Sequence, residues 1–204
     1  MPMDTNLTVQ ANLLYQQASI LADELRKKQN SHQKAVIPAD FRTDFFAFVD
    51  TLNLSLMEDK DNFFGYFLFQ MGKEIRFDLA DATGVNFKKT QYILYFNPLI
   101  FLPLSKEQME SSIKHQILHV VSMHLVRAKE LKNSYSRLAM NLAMDVVVNT
   151  YLEHLPPFST TLEWVNMNYS LLLAPFESFE YYVEKIQTAL DLRTDKTDRP
   201  DDGN

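Results

Sequence analysis

The stretch SSIKHQILHVVSMHLVR, residues 111–127, contains three of the five histidines in the chain. Its apolar positions recur every three or four residues, as they do on one face of a helix: Ile113, Ile117, Val120 and Leu125. Ser105, followed by Gln108 three residues later, forms a capping box ahead of this stretch. We therefore predict one helix from about Ser105 to about Lys129, and the histidines lie inside it.

Two of these histidines, His115 and His119, are four residues apart and fall on the same helix face, away from the apolar positions. Their imidazoles could bind one metal ion, but two histidines at this spacing on an exposed face are also a common coincidence. His124 falls on the apolar side of a continuous helix. It is expected to be a hydrogen-bonded histidine of the core, or one that orients a ligand, rather than a ligand itself.

A second polar pattern follows in LAMNLAMDVVVNTYL, residues 138–152, where Asn141, Asp145 and Asn149 are spaced four apart. The pattern lies in a helix predicted from about Ser136 to His154. A carboxylate in an apolar stripe is costly to bury unless it is hydrogen-bonded or bound to a cation. One interpretation is a structural network in which Arg127 or Lys114 pairs with Asp145.

The other interpretation is a metal site built from His115, His119 and Asp145. The chain has no cysteine, so any metal would be held by imidazole and carboxylate groups. Three such ligands leave a fourth position open, as in catalytic zinc sites. Zinc is the expected ion, although other divalent metals also accept these ligands.

The remaining segments predict a mainly helical α+β fold with a small antiparallel sheet. Helices are expected at about 5–29, after Pro38, and at about 178–190, and the aromatic run at 63–71 fits either a helix or a strand. Strands are expected at 75–79 and 91–96, paired antiparallel. At 204 residues with 46% hydrophobic residues, the chain is expected to form one domain at 1–190, followed by a disordered tail at 191–204.

The charge balance narrows the choice of partners. With a formal net charge of −6, the chain has no basic excess for neutralising phosphates, so we expect no nucleic-acid partner. The sequence shows neither a secretory leader nor an apolar run long enough to cross a bilayer. We expect a soluble, cytoplasmic protein that binds proteins or peptides and does not bind a membrane.

Together these motifs resemble the zincin-like metallopeptidase domain found at the N-terminus of bacterial proteins that carry a von Willebrand A-like domain. The resemblance covers roughly residues 60–190. It rests on an Asn-Pro pair after a strand, a histidine pair, a later histidine and arginine, a polar ladder, and the stretch FESFEYYVEKI. In this chain these features are Asn97-Pro98, His115 and His119, His124 and Arg127, the ladder Asn141–Asp145–Asn149, and residues 176–186.

The resemblance implies a role for each matching residue. His115, His119 and Asp145 would bind the metal, and His124, Arg127, Asn141 and Asn149 would support those ligands. It also implies a MoxR-type AAA ATPase as a partner. The von Willebrand A-like region of the family is absent from these 204 residues.

Gln116 stands where the family has the glutamate that takes a proton from the attacking water. An amide cannot carry that proton, and losing a general base typically costs about 10²- to 10⁴-fold in rate.

Three functions follow. The first is a zinc-binding, metallopeptidase-like domain with impaired catalysis that serves recognition or assembly. The second is an active hydrolase that uses another base, such as Glu107 or Glu110, and the third is a metal-free interaction domain. The resemblance to zincins, whose clefts align substrate along an edge strand, implies that a bound peptide would lie along the strand at 91–96.

Overall fold

The computed structural model describes residues 2–30, 36–58 and 62–197. The chain divides into two compact units, with the boundary between Ile117 and Leu118. The first unit contains α1 (Pro2–Asn30), α2 (Ala39–Glu58), α3 (Asn62–Gln70), β1 (Gly72–Ile75), β2 (Thr83–Lys88), β3 (Gln91–Phe96) and α4 (Pro98–Phe101). Helix α5 (Lys106–Val121) crosses the boundary, and the second unit continues with α6 (His124–Leu131), α7 (Arg137–Asn149), α8 (Leu162–Tyr169) and α9 (Phe179–Thr197).

The predicted fold class is confirmed, since the described residues are mainly helical with one small sheet. The sheet has the order β1-β3-β2 and is mixed rather than antiparallel. β3 pairs antiparallel with β2 and parallel with β1. The central position of β3 also means that the strand at 91–96 is not an edge strand, so the predicted placement of a peptide along it is wrong.

The predicted strand at 75–79 was wrong because its residues turn away from the sheet after Ile75. Arg76 forms an ion pair with Asp78, two residues on, which suits a turn. The Asn97 side chain donates to the carbonyls of Phe77 and Leu79, at 3.3 and 2.8 Å, and accepts from the backbone N–H of Leu99. The buried Asn97 therefore fixes this turn and begins α4 at Pro98.

Aromatic rings form the centre of the first unit. Phe45 of α2, Phe96 of β3 and Phe101 of α4 are almost fully buried. Their ring centroids lie 5.1–6.3 Å apart with edge-to-face geometry, the arrangement that aromatic pairs prefer. The ambiguous run at 63–71 is helical, and α3 packs against α2.

Helix α5 begins as predicted and ends early. The capping box is present, because Ser105 N–H donates to Gln108 Oε1 at 3.1 Å and Gln108 N–H donates to Ser105 Oγ at 3.3 Å. The predicted continuation to about Lys129 is wrong, because Met123 adopts the left-handed conformation with φ 54°. Helix α6 therefore begins at His124 as a separate helix.

The second unit is organised around α7 and α9, which share a core that contains Ala143, Val146, Tyr182 and Ile186. α7 ends at Asn149 rather than His154, and α8 follows with Thr161 accepting from the N–H of Trp164 at 3.1 Å. Sequence patterns did not predict α8, a helix of only eight residues. α9 extends past the predicted end at 190 to Thr197, and residues 198–204 of the predicted tail lie outside the described residues.

Candidate metal centre

The two predicted histidine ligands occupy successive turns of α5. Since one turn of a helix separates them, His115 and His119 project from the same face. His119 is 8% exposed and His115 is half-buried. Partial burial restricts both imidazoles to a few orientations, which favours binding of one ion by both.

Asp145 of α7 lies against this pair. Its Oδ1 is 3.3 Å from Nε2 of His119. One ligand atom from each of His115, His119 and Asp145 lies within 4.8 Å of the others. The three residues that the sequence predicted as ligands are therefore brought together.

The donor atoms of this arrangement fit a divalent metal ion such as zinc, and one of their distances fits a tetrahedral site. Two imidazole nitrogens and one carboxylate oxygen form a common donor set of catalytic zinc sites. Zinc bonds of roughly 2.0–2.1 Å in a tetrahedral array separate the ligand atoms by about 3.3 Å. His119 and Asp145 already have that separation, and His115 lies one helical turn before His119.

His124 determines how His119 presents its ring nitrogens. Nδ1 of His124 lies 2.9 Å from Nδ1 of His119, and the two rings meet edge to face. One of these nitrogens must donate and the other accept. If His119 Nδ1 carries the proton, its Nε2 has a lone pair directed toward Asp145, which is the tautomer that a metal ligand requires.

Arg127 lies one step further from the histidines and holds α6 against α9. Its guanidinium donates to both carboxylate oxygens of Glu180 and lies over the ring of Phe179, 5.0 Å from the centroid. The hydrogen bond and charge of Arg127 lower the pKa of Glu180. Arg127 thus pairs with Glu180, while Asp145 faces His119.

Gln116 points toward the sheet of the first unit. Its side-chain amide donates to the backbone carbonyl of Thr83, at the start of β2, over 3.3 Å. The Thr83 hydroxyl lies 2.8 Å from Ser112 Oγ and 3.1 Å from the Ser112 carbonyl. Three hydrogen bonds therefore attach the first residue of β2 to α5.

The two asparagines of the polar ladder have different surroundings. Asn149 is buried, and its amide donates to the Thr160 carbonyl at 2.8 Å, which fixes the segment before α8. Asn141 lies at an exposed position of α7. Support of the ligands by these two side chains stays a prediction.

The sequence did not indicate Thr83, which lies between the two strands predicted at 75–79 and 91–96. Neither its residue type nor its neighbours indicate contact with a helix 29 positions away. Thr83 bonds to α5 because it begins β2, and β2 was not among the predicted strands.

We compared the chain with curated proteins, solved structures and protein-family models. No curated protein and no solved structure shows significant similarity to the chain. The family described as "Putative metallopeptidase domain" matches residues 52–202, a range that includes α5, α7 and all three candidate ligands. Since that match covers well over half of the 204 residues, the chain belongs to this metallopeptidase-like family.

Proposed function

We propose that this protein is a zinc-binding, metallopeptidase-like domain whose catalytic step is impaired and whose role is recognition or assembly. The convergence of His115, His119 and Asp145 on one point carries the metal part of this proposal. The zinc would be held by these three side chains, and His124 would hold the ring of His119 in the orientation that ligation needs.

When bound, zinc would polarise a carbonyl group and lower the pKa of water, which is the chemistry of metallopeptidases. The residues of this chain set how far such chemistry can proceed. Hydrolysis of a peptide bond also needs a group that accepts a proton from water and returns it to the leaving amine. The family resemblance assigns that position to Gln116, and an amide has no site for this proton.

The contact between Gln116 and Thr83 supports a structural role for this amide. A glutamine can donate to the Thr83 carbonyl, whereas an ionised glutamate at the same position could not. The bond that attaches β2 to α5 therefore favours an amide over a catalytic carboxylate.

Helix geometry disfavours the two other carboxylates considered as bases. Glu107 and Glu110 lie eight and five residues before His115, or about 12 and about 7.5 Å along the axis of α5. The Glu107 carboxylate accepts from Ser105 Oγ at 2.9 Å, and Glu110 is buried with Lys106 3.9 Å away. Neither position suits proton transfer beside His115.

The proposed recognition role has a physical basis at β2. In the described residues β2 is an edge strand, and Asn97 N–H bonds the Ala82 carbonyl. By antiparallel alternation, the backbone groups of Thr83, Val85 and Phe87 then point away from β3. The Thr83 carbonyl already accepts from Gln116 and the Phe87 N–H already donates to Asn86 Oδ1, so the pairing groups for a peptide centre on Val85. An extended peptide could pair with this edge, and we propose peptides or unfolded protein as partners. We also propose a MoxR-type AAA ATPase as a partner, on the basis of the family resemblance alone.

Proteolysis of a generic substrate tests the catalytic part. We expect zinc-loaded wild type to leave casein uncut over hours, and Gln116→Glu to gain a slow cleavage that His115→Ala removes. Cleavage by the wild type that His115→Ala abolishes would instead show a working hydrolase with another base. Cleavage that survives His115→Ala would indicate a contaminant in both cases.

A further inference from the structure

An exposed aromatic pair lies in the second unit, in the loops after α7 and before α9. Tyr151 and Phe176 are 62% and 64% exposed, and their ring centroids are 5.3 Å apart. We call these two residues the aromatic platform. Rings in contact that are both mostly open to solvent offer a preformed apolar face to a partner.

The backbone holds Phe176 in an unfavourable conformation to build this face. Phe176 has φ 63°, in the left-handed region that bulky residues rarely adopt. The turn is fixed from below by the buried Tyr182, whose hydroxyl donates to the Ala174 carbonyl at 2.7 Å and accepts from the Glu177 N–H at 3.2 Å. Such conformations persist where the surrounding structure over-determines them, often at ligand-binding positions.

The charge of this region selects the partner. Residues 138–184 contain no lysine or arginine. Their carboxylates are Asp145, Glu153, Glu163, Glu177, Glu180 and Glu184. Glu180 is neutralised by Arg127, and Arg193 from outside the segment lies over Tyr169. For Glu153 and Glu177, no ion-pair partner exists within the described ranges 2–30, 36–58 and 62–197.

Glu177 lies close to the platform. Glu177 follows Phe176 directly in the chain, and its backbone N–H donates to the Tyr182 hydroxyl at 3.2 Å. Since the same hydroxyl donates to the Ala174 carbonyl, Phe176 and Glu177 belong to one short turn held by Tyr182. Two aromatic faces beside a carboxylate form the usual environment for a guanidinium or ammonium group.

We propose that the aromatic platform binds an arginine or lysine side chain of a basic, partly apolar peptide or protein segment. The apolar stem of that side chain covers the rings of Tyr151 and Phe176, and its charge faces Glu177. Binding at this surface uses none of the candidate metal ligands, so it does not rest on the proposed zinc chemistry.

Fluorescence anisotropy with the full chain tests this proposal. The probe is a fluorescein-labelled octapeptide with one central arginine between leucines, and its partner has citrulline, a neutral side chain of the same shape. At about 50 mM salt and with excess EDTA, we expect the citrulline peptide to bind roughly tenfold more weakly. Equal affinity for both peptides, or no binding up to about 1 mM, would overturn the proposal.

Matched variants locate the site. Tyr151→Ala and Glu177→Gln should each reduce affinity for the arginine peptide by roughly three- to tenfold. Tyr66→Ala, at a similarly exposed tyrosine of α3, and Glu163→Gln, at a carboxylate of the same acidic segment, should leave it unchanged. Equal losses in the controls would contradict the placement.

Phe176→Gly separates binding from folding. Glycine accepts the left-handed backbone of this position without strain, so the melting temperature should not fall, while the loss of one ring should weaken binding of the arginine peptide. A variant that keeps full affinity would count against the aromatic platform.

Discussion

Two glutamines of α5 use opposite ends of their amides. Gln108 accepts a hydrogen bond through Oε1 from the backbone of Ser105, and Gln116 donates through Nε2 to the carbonyl of Thr83. A carboxylate can replace an acceptor but cannot replace a donor. The chemical identity of residue 116 is therefore constrained by β2 as well as by any metal chemistry.

Replacing both glutamines in turn tests this difference. We expect Gln116→Glu to lower the free energy of unfolding by about 1–2 kcal/mol at pH 7, because the carboxylate would face the Thr83 carbonyl without a proton to share. Gln108→Glu should change it by less than about 0.5 kcal/mol, since the capping box keeps its acceptor. Urea denaturation measures both. Equal effects of the two substitutions would show that the Thr83 contact contributes nothing.

His124 provides a second residue-scale prediction. His124→Phe keeps a ring of similar size beside Phe179 but removes the hydrogen-bond partner of His119 Nδ1. We expect zinc affinity to fall by about 10- to 100-fold, measured by competition with a chromophoric chelator. The melting temperature of the metal-free variant shows whether the substitution has destabilised the fold. If it is unchanged, the lower zinc affinity reflects a misoriented His119 ring. Unchanged zinc affinity in a folded variant would remove His124 from the site.

At this scale, the sequence predicted the three candidate ligands and the buried, hydrogen-bonded His124, and it missed Thr83. His115 and His119 could be paired because helix geometry alone relates residues four apart. Asp145 could be added because a carboxylate within an apolar stripe needs a partner. Thr83 could not be predicted, because its contact with α5 depends on tertiary packing.

Among the elements, the break between α5 and α6 departs most from the predicted pattern. The apolar period continues through residues 120–125, so periodicity alone predicts an unbroken helix. The left-handed Met123 interrupts it, and the buried His124 then begins α6 beside His119. Periodicity also could not predict that β1 and β3 are parallel. Their relative direction depends on the path of the chain between them.

Glycine substitutions on either side of this break should have opposite effects. Met123 is 57% exposed and has φ 54°. Met123→Gly should raise the free energy of unfolding by up to about 1 kcal/mol, because glycine adopts this left-handed conformation without strain. Val121→Gly, at the similarly exposed last residue of α5, should lower it by roughly 0.5 kcal/mol. Thermal and urea unfolding would report both changes, and destabilisation by Met123→Gly would mean that the side chain matters more than the backbone.

For the whole molecule, the described residues are mainly helical with a small sheet, and the family match covers residues 52–202. Among the described residues, no helix is long and apolar enough to cross a membrane. Ion pairs stabilise the packing of helices that are distant in sequence. Arg127 of α6 and Glu180 of α9, 53 positions apart, form one such pair.

This ion pair predicts a specific dependence of stability on pH. Because Arg127 lowers the pKa of Glu180 in the folded state, the pair stabilises the fold above the unfolded pKa of about 4.3 and is lost as pH falls through the folded pKa. Glu180→Gln should cost up to about 1 kcal/mol at pH 7, a modest value because both partners are partly exposed. Near pH 2, wild type and variant should unfold alike.

Glu184→Gln, one turn further along α9, is the control for this pH dependence. Glu184 lies at an exposed position, so its loss should matter little at either pH. An effect of Glu180→Gln that persists unchanged under acid conditions would show that the charge of Glu180 is irrelevant.

Metal content per chain tests the central claim most directly. Inductively coupled plasma mass spectrometry would be applied to untagged wild type and to His119→Ala, each loaded with zinc and then dialysed. The site predicts about one zinc ion per chain in the wild type and background zinc in the variant. Background zinc in both proteins, or equal zinc in both, would contradict a metal centre at His115, His119 and Asp145.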